Sequence, residues 1–81
     1  MNNDDPMSKE AQALHLGKYR HFKDHDVIVL GVARHSENPK EEFVVYKHDG
    51  KFWVRPLMMF LENVKRGKYV GPRFVWTGEK I

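Results

Sequence analysis

Apolar positions along the chain follow two different periods. Near the front, Met7, Ala11 and Leu14 recur at i, i+4 and i+7, the spacing of one helical face. Asp5 or Ser8 can cap such a helix, Pro6 suits its first turn, and Gly17 is placed to end it with a left-handed residue. About three turns cannot stand alone in water, so this helix must lean on another element. Residues 1–7 read as a flexible tail and 8–81 as a single small domain that includes the helix.

From Lys18 onward the pattern is that of strands. Residues 18–23 alternate, and Asp24-His25-Asp26 makes a polar turn. Residues 27–34 are β-branched and apolar on both faces, which predicts a central strand covered from two sides. A turn-rich loop at 36–40 follows, and then residues 42–48 and 51–55 flank Asp49-Gly50, a strong two-residue hairpin signal. Pro56 ends that hairpin. Leu57, Phe60, Leu61 and Val64 then predict a short helix or 3₁₀ turn near 57–63, and a last strand over 69–77 is interrupted at Gly71-Pro72. Short strands with one late helix in about 60 residues predict a mainly β fold, a small SH3-like five-stranded barrel in which one curled sheet encloses the core.

The hairpin register assigns faces. A type I′ turn at Asp49-Gly50 pairs Tyr46 with Trp53, Val45 with Val54 and Val44 with Arg55, and opposed residues share a face. Phe43, Val45, Phe52 and Val54 form one face, taken as the core. Val44, Tyr46, His48, Lys51, Trp53 and Arg55 form the other, which combines aromatic rings with fixed positive charge. That mixture suits a ring-bearing or anionic ligand, because aromatic faces stack bases and Arg binds phosphate or carboxylate with two parallel bonds. The competing reading is that the first helix lies over Tyr46 and Trp53 and uses them as packing surface.

Composition narrows the alternatives. The 81 residues include no cysteine, which removes disulfides, thiolate metal sites and cysteine nucleophiles. The longest apolar run, 27–33, is far too short to span a bilayer, and the acidic first residues do not form an export signal, so a cytoplasmic domain without a membrane partner is expected. The net charge of +3 divides into −2 over residues 1–46 and +5 over residues 47–81. A basic rear half attracts polyanions, although a small surplus also serves solubility alone.

Other candidates are weighed against structural roles. His21 and His25 have metal-pair spacing only on a helix; on a strand and turn the spacing is read as separating them, so neither metal nor cofactor is expected. His35 with Ser36 and Glu37 offers a base, a hydroxyl and a carboxylate, the parts of a small catalytic site. Against that, neighbours on a strand point to opposite faces. Arg34, Arg55 and Arg73 each sit beside a strand end, where they can grip an anion or tie the rim to Glu37, Glu42 or Glu62. Met58, Met59 and Phe60 read as core, with a methionine-lined partner groove as the alternative.

Tyr19-Arg20-His21-Phe22-Lys23, the block from Val29 through Gly31-Val32-Ala33-Arg34-His35-Ser36-Glu37, Val44-Val45-Tyr46, Trp53-Val54-Arg55-Pro56, Met59-Phe60 and Pro72-Arg73-Phe74 together resemble the bacterial domain-of-unknown-function family 1653. The resemblance covers about residues 17–76. It implies an SH3-type barrel and leaves activity open. The tight Asp49-Gly50 turn and the Gly71-Pro72 pair depart from the family pattern.

These observations favour a non-enzymatic binding module for an anionic or aromatic ligand, with RNA, a nucleotide or an acidic peptide as partner. Arg34, His35, Tyr46, Trp53, Arg55 and Arg73 are its expected contacts. Two other classes stay open: a protein-interaction domain using the Tyr46/Trp53 face, and a small enzyme using His35, Ser36 and Glu37.

Overall fold

Ser8 opens the chain's first helix. In the computed structural model, which describes residues 6–81, its hydroxyl accepts the Ala11 amide at 3.0 Å and starts α1, Lys9–Ala13. The alternative cap, Asp5, and most of the predicted tail lie outside the described residues. The helix ends at Ala13, with Leu14 already extended, earlier than the apolar spacing implied. Gly17 is therefore no helix cap but the first residue of β1, Gly17–His21. There its φ is +135°, and a Cβ would lie 2.1 Å from the Glu79 carbonyl oxygen.

Strands β2 (His25–Arg34), β3 (Glu42–His48) and β4 (Lys51–Pro56) follow, then a single turn of helix, α2 (Leu57–Phe60). The chain continues through β5 (Asn63–Arg66), β6 (Tyr69–Pro72) and β7 (Phe74–Lys80). The predicted late helix is thus shorter than expected, and the predicted last strand divides at Arg73 into two strands of different sheets. One antiparallel sheet runs β4-β3-β2-β1-β7, and β5 pairs with β6 alone. The hairpin register agrees with the sequence reading pair for pair, and Asp49 and Gly50 both take the positive φ (54° and 72°) that a type I′ turn needs.

The faces of that hairpin are the reverse of the expected assignment. Val44 is fully buried and Tyr46 nearly so, whereas Phe52 and Val54 are 69% and 64% exposed. Both faces are apolar enough to serve as core, so local composition cannot choose between them. The choice is made by what covers the sheet. Leu57 and Phe60 of α2 fold over the face that carries Tyr19, Val27, Val29, Val44, Tyr46 and Phe74, and together these eight residues make the core. Phe60 stacks on Phe74 at 4.2 Å and meets Tyr19 edge-on at 5.3 Å. Met58 and Met59, on the opposite side of α2, are exposed. The central strand β2 is covered chiefly from this one side, with Leu30 37% exposed on the other.

The expected closed barrel does not form. Among the described residues no ladder joins the edge strands β4 and β7. The sheet nevertheless curls until side chains from the two edges meet, with the Arg55 guanidinium 5.7 Å from the Phe74 ring. Helix α1 covers the other end of the same face. Ala11 and Leu14 pack against the core beside Trp76, His15 stacks on Trp76 at 4.8 Å, and Ser8 donates its backbone and hydroxyl protons to the Glu42 carboxylate. It is α2, through Phe60 at 6.0 Å, that stands against Tyr46.

Candidate functional site

Incomplete closure leaves a cleft of about 300 Å³ between the two edges, lined from all five strands of the large sheet. Its walls are His21 at the end of β1, Lys23 in the turn that follows, His25 and Val27 of β2, Tyr46 and His48 of β3, Trp53 and Arg55 of β4, and Phe74 of β7. No carboxylate among the described residues lines it.

The histidines form a stack across three strands. A three-residue turn, 22–24, with Asp24 at φ +73°, sets His21 directly opposite His25 in the β1–β2 ladder. Their rings lie 4.4 Å apart and nearly parallel, and His25 lies 4.4 Å from His48. The spacing read as separating His21 from His25 therefore brings them together, because a hairpin places i and i+4 face to face. Parallel rings do not aim their nitrogens at one point. Accordingly, no group of three or more potential ligands among the described residues is arranged to hold a metal ion.

The hydrogen-bond network assigns two of the three tautomers. His21 Nδ1 accepts the Lys23 amide at 3.0 Å, so a neutral His21 carries its proton on Nε2. His48 Nδ1 faces the Asp26 carbonyl oxygen at 3.1 Å and must donate, which leaves its Nε2 an acceptor when the ring is neutral. Burial foremost, then the charges of His25, Arg73, Arg55 and Lys23, push the His21 imidazole from 6.5 down to about 4. His25 is also lowered, by burial first and then by His48. Near neutral pH the His21 ring is therefore a polar wall without charge.

Fixed charge in the cleft comes from Arg55 and Lys23. Arg55 lies opposite Val44 in the β3–β4 ladder, so its side chain enters on the core face. Its Nε is buried and has no hydrogen-bond partner among the described residues, and its guanidinium makes no ion pair with any of their carboxylates. A buried unsatisfied donor costs on the order of 1–3 kcal/mol, more for a charged group. Trp53, 46% exposed, stands beside it with its indole N–H already donated to the His48 carbonyl at 3.1 Å, which holds the ring in place.

Of the residues singled out from the sequence, Tyr46, Trp53 and Arg55 meet in the cleft. Tyr46 is wall and core, not a stacking surface, at 8% exposure. Arg73 lies behind the cleft: it pairs with Glu62 at 2.7 Å, sits 5.9 Å from the Phe22 ring, and has its own buried Nε without a partner. Arg34 and His35 are elsewhere: Arg34 is nine residues along β2 from His25, about 30 Å at the rise of a strand, and His35 follows it just beyond the strand end. Arg34 contacts Met7 there at the α1 attachment. His35 faces solvent, and its Nδ1 accepts the Glu37 and Asn38 amides at 3.1 and 3.2 Å, a turn-capping arrangement that uses the nitrogen a base would need. Ser36 donates to Glu37, not to His35. The cleft also holds His21 and His25, which the sequence offers only as a metal pair, and Lys23 and Phe74, which no local pattern marks as site residues.

A family described as "protein of unknown function (DUF1653)" matches residues 17–76, and the chain belongs to it. The chain is also similar to a crystal structure of a DUF1653 protein from Bordetella bronchiseptica, with a TM-score of 0.75 and 33% identity, covering 88% of this chain and 96% of that one. No curated protein matches the chain.

Proposed function

We propose that this domain is a non-enzymatic binding module, and that its ligand places an anionic group against Arg55 and a flat ring against Trp53 in the cleft between β4 and β7. The observation that carries the reading is the Arg55 side chain, buried at Nε, unpaired among the described residues and set over the Phe74 ring in a cleft that no described carboxylate lines. A guanidinium so placed supplies donors in a fixed fork, and the exposed indole supplies a stacking face. The size of the cleft, at the lower end of the range for small-molecule sites, suits one mononucleotide-sized group. We read the curled five-stranded sheet as an SH3-like barrel left open on one side, with the opening as the site.

The test is a fluorescence titration in the Trp76→Phe background, where Trp53 is the remaining tryptophan. Uridine monophosphate at low salt is expected to quench Trp53 saturably, and Arg55→Met is expected to weaken binding at least about tenfold while the fold persists. Saturable quenching that Arg55→Met leaves intact would remove Arg55 from the site.

A second reading rests on the outer face of the same hairpin. Phe52 and Val54 are exposed there, so an interaction-domain role would use that face, since Tyr46 is buried. Light scattering behind size exclusion distinguishes it: a dimer that Phe52→Lys dissolves supports the outer face.

A further inference from the structure

We infer that the cleft continues onto the β5–β6 hairpin as a track for phosphates, so that the ligand is a single-stranded nucleic acid with one unstacked base in the cleft. This inference rests on the cleft reading above and extends it from one nucleotide to a chain. Residues 63–73 hold Lys65, Arg66, Lys68 and Arg73 and no carboxylate. The first three are exposed around the Gly67 turn, and among the described residues none of them is in an ion pair. Arg73 alone of the four is neutralised, by Glu62.

The hairpin tip is anchored beside the mouth of the cleft. Tyr69, which follows Lys68 and pairs with Arg66, stacks on Phe22 at 5.6 Å with the rings 17° from parallel. Phe22 lies between His21 and Lys23, both of which line the cleft. Lys23 Nζ and the Arg73 guanidinium each lie 5.9 Å from the Phe22 ring. Cationic side chains thus run from Arg55 and Lys23 past the Phe22–Tyr69 stack to the tip. The acidic groups Asp24, Asp26 and Glu79 are taken up by Arg20 and Lys18. Repeating cations beside an aromatic-walled cleft match repeating phosphates with a base between them, whereas an acidic peptide offers the charges without the ring. The cleft takes one unstacked base, which a single strand presents and an intact, fully stacked duplex does not.

The experiment compares uridine monophosphate, fluorescein-labelled octauridylate and polyglutamate on the wild type, on Arg55→Met and on a variant with Lys65, Arg66 and Lys68 all changed to Gln. Circular dichroism verifies the fold of each variant. Octauridylate is expected to bind more tightly than the monophosphate, with a steeper fall of log affinity against log salt. The triple variant is expected to lose at least about tenfold for octauridylate and to flatten the salt slope by about 2, at about 0.7 per cation, while monophosphate binding stays unchanged. Unchanged octauridylate binding by the triple variant overturns the track and spares the cleft. Loss in the triple variant without loss in Arg55→Met overturns the cleft reading, and with it the seated base. Polyglutamate binding equal to octauridylate overturns the nucleic-acid assignment, and a wild type that binds none of the three overturns both readings. If the triple variant fails to fold, the wild-type slopes alone decide: equal slopes for monophosphate and octauridylate overturn the track.

Discussion

Arg55 is expected to bear on stability and on the proposed binding in opposite directions. Its buried Nε lacks an acceptor, so an unbranched apolar side chain of similar length removes an unsatisfied donor along with the contact to Phe74. Arg55→Met is therefore expected to leave the melting temperature unchanged or raise it while weakening anion binding at least about tenfold; thermal melts beside the titration check this, and a large loss of stability would mark Arg55 as structural. His21 gives the second prediction. Its folded value of about 4 lies below the ordinary 6.5, so between those limits the unfolded chain holds more protons than the folded one. The stability it contributes is complete above pH 6.5, falls as the pH drops toward 4, and is level below that. His25 is shifted in the same direction. Urea midpoints measured across this window are expected to fall with pH, and His21→Phe is expected to shrink the fall; a profile unchanged by that substitution contradicts the assignment. Neither residue's role was fully legible in the sequence. Strand alternation puts Arg55 on the same face as Trp53, and hairpin register adds Tyr46 to it. The pairing of His21 with His25 is hidden by the polar run at 24–26, because the turn that matters is 22–24 and its ladder opposes the two rings.

At the scale of elements, the β3–β4 hairpin shows what pattern reading captures. Asp49-Gly50 dictates turn type, and turn type dictates register, so every cross-strand pair was readable locally. Which face turns inward is not a local property when both are apolar. It depends on α2, a single turn that packs Leu57 and Phe60 over Val44 and Tyr46. Phe60, 2% exposed and in contact with Tyr19, Tyr46 and Phe74, is accordingly the element's anchor. Phe60→Ala is expected to cost about 3–5 kcal/mol in chemical denaturation, whereas Met58→Ala, at an exposed position, is expected to cost less than about 0.5. Equal costs would contradict the packing described. Gly17 is the corresponding point on the β1–β7 side. Positive φ and the approach of the Glu79 carbonyl leave no room for a Cβ, so Gly17→Ala is expected to destabilise by more than about 1 kcal/mol and to raise hydrogen exchange along β7.

For the whole molecule, the uneven charge and the open sheet belong to one picture. The excess cations of the rear half reappear in the structure at the cleft, on Arg55, and on the β5–β6 hairpin. Strand count and the family resemblance both pointed to a barrel; the sheet instead stops short of closing, and that gap between β4 and β7 supplies the cleft. Between these edge strands the chain runs through α2, β5 and β6, and no residue pattern announces that the two edges stay unpaired. The central claim, that the gap binds an anionic, ring-bearing group through Arg55, is tested most directly by a nitrogen-15 NMR titration with uridine monophosphate. The account predicts saturable shifts concentrated on the Arg55 Nε–H, the Trp53 indole N–H and the amides of His21, His25 and His48. Shifts confined to the far end of β2 around His35, or no saturable shift anywhere, would contradict it.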